Sequence, residues 1–173
     1  MHDPVRLLAI AASCAAVGLW AGCGDDDSPG DSPSSAPTIP VADYRTKAEP
    51  LCSKASDAMS ETALPSSFPA TLEDFGKGSK AILAAVEQPF EGLVALPAPE
   101  GLEPAHERFN RELTKAVGEA RRLRQLVEAG NDDNDALWLP RTAVVTHTAS
   151  AMTEAEALGL EDCTKLTFKT EGH

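Results

Sequence analysis

The sequence predicts an all-α fold, an antiparallel four-helix bundle closed by one disulfide, and three observations carry that expectation. Four segments repeat apolar residues at spacings of three and four, the period of a helix with one buried face. Ala, Leu and Glu are frequent, aromatics make up only 5%, and runs of β-branched residues are nearly absent, Val144-Val145 being the most evident. Cys52 and Cys163 lie near opposite ends of the body, placed to close it. Short-to-moderate loops between helices with one apolar face each imply an up-down order. No sheet is expected.

Ahead of that body, residues 1-22 read as a signal peptide. Leu7 to Trp20 is an apolar run of roughly fourteen residues, too short for the ~20 that span a bilayer as a helix. Ala21 and Gly22 are small and precede Cys23, and Gly, Asp, Ser and Pro follow at once. Leu19-Trp20-Ala21-Gly22-Cys23 therefore resembles a bacterial lipobox, which marks a cysteine for diacylglyceryl attachment and for cleavage just before it. Trp20 stands where such boxes usually carry Leu, Val or Ile, and the single Arg6 of the leading segment is offset by Asp3. An ordinary cleaved secretory signal and an uncleaved anchor are the other readings of the run. Cys14 lies inside it, with apolar sequence on both sides, so Cys23 is the expected acceptor.

Residues 23-41 read as a lipidated cysteine and a disordered tether. Asp25-Asp26-Asp27 and the Ser/Pro-rich stretch to Ser35 have no apolar period and cannot offset their ordering entropy. As a flexible chain this tether spans about 25 Å, and up to ~55 Å if its prolines extend it.

The domain proper is expected over residues 42-173. Its first helix runs from Asp43, as N-cap, to Met59, with Tyr44, Ala48, Leu51, Cys52, Ala55 and Met59 on one face. Pro50 either kinks this helix or begins it, and the period through Tyr44 and Ala48 favours the kink. After a Pro/Ser turn from Leu64 to Pro69, a second helix spans Ala70 to Leu96, its stripe being Leu72, Phe75, Ser79, Ile82, Val86, Phe90 and Leu93. Pro89 should bend or divide it. Pro97-Ala98-Pro99-Glu100-Gly101 breaks the chain, and Pro104 suits the first turn of a third helix reaching Ala129. Phe109, Leu113, Ala116, Val117, Ala120, Leu123 and Val127 form its stripe, and Gly130 stops it. The fourth helix begins near Ala136 or Pro140 and presents Trp138, Val145, Ala149, Met152 and Ala155 inward; Gly159-Leu160 reads as a Schellman-type end. Leu166 and Phe168 of the tail, Thr164 to His173, are free to pack on the bundle.

The formal net charge of −12 is unchanged when residues 1-22 are removed, since they hold one Arg and one Asp. So acidic a chain is a poor partner for nucleic acid or anionic lipid surfaces, and the charge serves solubility. In an oxidising compartment Cys52 and Cys163 are most simply a disulfide, closing a loop of about 110 residues worth about 4–5 kcal/mol in the chain-entropy model. A reactive thiol or metal ligand would want a neighbouring His or second Cys, and neither cysteine has one in sequence.

Catalytic signatures are missing. There is no phosphate loop, no Gly-x-Ser-x-Gly elbow, no His-Glu-x-x-His and no Cys-x-x-Cys-His. Glu103-Pro104-Ala105-His106 gives one Glu-x-x-His, the unit of a di-iron bundle site, but His147 has Val144 three residues before it and no second copy exists. His106 and His147 fall outside the stripes assigned above and read as exposed or singly hydrogen-bonded. Asn131-Asp132-Asp133-Asn134-Asp135 lacks the Gly and final Glu of a calcium loop and reads as a solvated loop and helix cap. No metal, no cofactor and no catalytic residue is expected.

The lipobox, the Ser/Pro tether, Tyr44 and Cys52 on the first helix, the Pro97-x-Pro99-x-Gly101-Leu102 break and the closing Leu158-Gly159-Leu160-x-x-Cys163 together resemble small uncharacterised actinobacterial helical lipoproteins. That resemblance implies a chain held on the extracytoplasmic face of the cell membrane through Cys23, and carries no activity. The expected function is non-enzymatic binding of an envelope protein or small ligand. The alternative is a metal- or cofactor-dependent enzyme or carrier built in the bundle core.

Overall fold

A computed structural model describes residues 37–64 and 70–170. The expected signal peptide over residues 1-22, the expected lipidation site Cys23 and the tether up to residue 36 lie outside the described residues. Four helices form the body: α1 (Val41–Glu61), α2 (Leu72–Val94), α3 (Glu103–Glu128) and α4 (Asn134–Leu158). They make a helical bundle in which α2 packs against α1 and α3, and α3 against α4. A 3-10 turn, Asp162–Lys165, packs against both α1 and α4.

The expectation of no sheet is corrected by two short pairings. Thr38–Ile39 (β1) runs parallel to Ala98–Pro99 (β3), and Ala63–Leu64 (β2) runs parallel to Lys169–Thr170 (β4). Each strand is two residues long, so the pairs act as clips on the helix connections and have no sheet face of their own. The first clip also shortens the tether. Ile39 is partly buried against the core and its carbonyl accepts from the Glu100 N–H at 2.9 Å, so the ordered body begins several residues before 42.

α1 begins at Val41, with Pro40 in the cap position, which makes Asp43 a first-turn acid and not the N-cap. The helix passes through Pro50 unbroken, so it does not begin there. Tyr44, Ala48, Cys52, Ala55 and Met59 are all fully buried, as their spacing predicts. α2 opens on a capping box absent from the sequence reading: the Thr71 hydroxyl accepts from the Asp74 N–H (3.1 Å), and the Asp74 carboxylate accepts from the Thr71 N–H (3.0 Å). Pro89 lies inside α2 without dividing it.

Both glycine stops form as expected. At the end of α3, Gly130 takes φ 70° and the Asn131 N–H reaches the Leu126 carbonyl. At the end of α4, Gly159 takes φ 68° and Leu160 donates to Ala155 while its side chain is fully buried. Gly159 also lies beneath Arg45, whose Nε donates to the Leu158 carbonyl at 2.9 Å, and a Cβ there would stand 2.2 Å from the guanidinium. Gly159→Ala is therefore expected to cost about 2 kcal/mol, from left-handed strain and the displaced Arg45 hydrogen bond. Urea unfolding checks this, and Arg45→Ala, which loses only the hydrogen bond, should cost less.

The inward face of α4 differs from the expected one. Leu137, Pro140, Val144, Thr148, Ala151, Ala155 and Leu158 are buried, whereas Val145 and Ala149 are exposed and Trp138 and Met152 only partly covered. The helix is turned by one residue, about 100°, from the assigned stripe. From Leu137 to Thr153 its outer face is marked only by the hydroxyls of Thr142, Thr146, Ser150 and Thr153, with Arg141 partly covered, while Thr148 lies on the buried side, so the contrast between faces is weak.

Candidate functional site

The predicted bond is present: Cys52 of α1 and Cys163 of the 3-10 turn are joined, with S–S 2.05 Å and Cα atoms 4.7 Å apart, both fully buried. Leu160 and Leu166 are also buried, which carries the chain after Gly159 back across α1. Glu49 holds this return, accepting from the backbone N–H groups of Glu161 (2.7 Å) and Asp162 (3.1 Å).

Two polar clusters stand out against the apolar core. The first joins α1 and α3. His106, expected outside the inward face, is 7% exposed and meets the fully buried Tyr44 ring edge-on, 5.3 Å between centroids. This is a correction with a local cause: His106 lies three residues before Phe109 and seven before Leu113, so it continues their stripe by one turn. Its Nε2 is 3.2 Å from the Asn110 amide nitrogen, which also lies 3.5 Å from the Val94 carbonyl at the end of α2. The Tyr44 hydroxyl and the Asn110 Oδ1 are buried without a hydrogen-bond partner among the described residues. Burial alone pushes the His106 pKa below the ordinary histidine value and the Tyr44 pKa well above the usual phenol range.

The second cluster lies between α3 and α4. His147 Nδ1 is 2.8 Å from the Glu112 carboxylate, and Lys115 reaches the same carboxylate at 2.8 Å. The Lys115 ammonium, more than His147, holds the Glu112 pKa below the usual carboxylate range. One turn along, Arg108 binds Glu154 across the same pair of helices at 2.9 Å. His147 is singly partnered, as expected, but by a carboxylate 35 positions away that no local spacing reveals.

The acidic loop behaves as the cap it was read to be. Asp133 Oδ1 accepts from the N–H groups of Asp135 (3.0 Å) and Ala136 (3.4 Å), and Asn131 accepts from Asp133. Among the described residues no three His, Cys, Asp or Glu side chains converge to hold a metal ion. His106 and His147 sit in separate clusters, the first with no carboxylate in its contacts and the second with one. Comparison with known proteins found no match among family models, curated proteins or solved structures.

Proposed function

We propose that this chain is a lipid-anchored, extracytoplasmic helical module that binds an envelope protein or small ligand and performs no catalysis. The observation that carries the reading is the buried Cys52–Cys163 bond, since structural disulfides form and persist in oxidising compartments. The apolar run ending in small residues before Cys23 supplies the route there, and the resemblance to small actinobacterial lipoproteins agrees with it. Among the described residues no helix is long and apolar enough to cross a membrane.

The helices are read as an antiparallel up-down bundle. Ladders of contacts support this order: Lys54 bonds Gln88 while Leu51 lies against Gly92, Arg121 bonds Glu87 while Asn110 reaches Val94, and Glu112 bonds His147 while Arg108 bonds Glu154. In every pair the residue number rises on one helix as it falls on the other. The non-enzymatic reading rests on the chemistry of the two clusters: one is sealed in the core, and the other is a single histidine–carboxylate pair on a charged surface.

Mass spectrometry of the mature N-terminus tests the anchor. A diacylglyceryl-modified Cys23 is the expected first residue, and Cys23→Ser should move the protein from the membrane to the soluble fraction. An unmodified terminus at another residue, or membrane retention of the serine variant, would overturn the assignment.

A further inference from the structure

We propose that His106 and Asn110 form an acid-released latch, holding the meeting point of the α1 start, the α2 end and the α3 start when His106 is neutral and releasing it when His106 is protonated. The Asn110 amide nitrogen faces two groups at once, the Val94 carbonyl and His106 Nε2. A carbonyl oxygen only accepts, so the amide must present its N–H groups there, and Nε2 must then be the nitrogen carrying a lone pair. The ring proton sits on Nδ1. Taking up a proton from water places an N–H on Nε2, pointing at the donors of Asn110.

Rotating the amide by half a turn does not resolve the conflict. Oδ1 would then accept from Nε2 but would face the Val94 carbonyl, oxygen against oxygen. Either orientation leaves one mismatch: unrotated, the amide meets the new Nε2 proton donor against donor, and rotated, it gives up the side-chain tie from α3 to the Val94 carbonyl at the end of α2. Among the described residues no charged group offsets the burial of the cation. From α1 the ring meets the Tyr44 phenol, and Arg45 beside it is committed to the Leu158 carbonyl. On α2 the Val94 carbonyl is held by Asn110, and Glu91 is engaged by Arg121. On α3, Glu103 turns back to the Gly101 N–H (3.1 Å), and Arg108 is paired with Glu154 of α4. Burial is the sole cause acting on the ring.

The sign follows from linkage. A histidine whose folded pKa lies below its unfolded value binds fewer protons folded than unfolded, so its stabilising contribution is complete above the unfolded value, about pH 6.5, and is lost as pH falls towards the folded one. The same end of the bundle carries the β1–β3 clip, through which the chain enters from the tether. Loosening it would free the start of α1, the end that follows the tether in sequence.

Two measurements on the full mature chain test the latch. In a nitrogen-15 titration from pH 7.5 to 5, neutral His106 should show its proton on Nδ1, and the Asn110 side-chain amide resonances should shift in step with His106. In parallel urea unfolding, the ratio of wild-type to His106→Gln folding constants should fall by up to about tenfold per pH unit below the unfolded histidine pKa, because carboxylate titration is common to both chains. Stationary Asn110 resonances through the His106 titration, or the same pH dependence in both chains, would overturn the proposal. If His106→Gln does not fold, the wild-type titration decides alone.

Discussion

Replacing Cys52 and Cys163 together by alanine is expected to lower the unfolding free energy by about 4–5 kcal/mol, the loop-closure entropy of a long cross-link. The bond spans 111 positions, so α2, α3, α4 and the second half of α1 lie inside the loop it closes. Small domains hold only about 5–15 kcal/mol in total, and a loss of this size consumes a large part of it. Alanine is the right replacement, because both positions are fully buried and serine would add hydroxyls with no partner. The native body should nevertheless keep its shape. Glu49 still ties down Glu161 and Asp162, and Leu160 and Leu166 remain buried. Urea unfolding of the double variant should therefore show a much lower midpoint with a near-native helical spectrum before the transition. A loss below about 1 kcal/mol would show that the unfolded chain gains little freedom when the link is removed, against the entropic account.

That bond was legible in the sequence because elimination sufficed: outside the leading segment only two cysteines remain. Legibility elsewhere followed the contrast between faces. α3 was readable almost to the residue, because Phe109, Leu113, Ala116 and Leu123 are offset by Arg111, Glu112, Lys115 and Arg122 on the other side. α4 was misphased for the opposite reason. Leu137, Val144, Ala151 and Leu158 recur every seven residues, but Val145, Ala149 and Met152 are as apolar, and packing against α3 and the 3-10 turn settled what periodicity could not. Two-residue strands lie below any sequence pattern, since their pairing depends on where two connections meet in space. The Thr71–Asp74 box, by contrast, is local, a Thr and an Asp three residues apart.

The polar clusters divide the same way. His106 carried a signal, its position one turn before Phe109 on the buried stripe. Tyr44 was placed on the inward face of α1 correctly, but its edge contact with His106 joins residues 62 positions apart and has no local trace. The Glu112–His147 pair is likewise a product of how α3 and α4 pack.

Truncating Phe109 to alanine is expected to cost about 3–5 kcal/mol, the range for a fully buried aromatic whose neighbours cannot close the space it leaves. Phe109 is fully buried in α3, the helix that packs against both α2 and α4, and its stripe neighbours Leu113 and Ala116 are equally enclosed. The void would open on the buried stripe of α3, the helix most enclosed by its neighbours. The removed ring also lies one turn from His106, so the variant should weaken the α1–α3 junction as well as the centre. Leu139, 66% exposed on α4, is the matched control, and Leu139→Ser should stay within about 0.5 kcal/mol of wild type. Urea midpoints measured at unchanged m-value decide between a rigid and a yielding core. A Phe109→Ala cost under about 2 kcal/mol, with Leu139→Ser unchanged, would mean that the helices collapse into the space and that the bundle is more plastic than its packing implies.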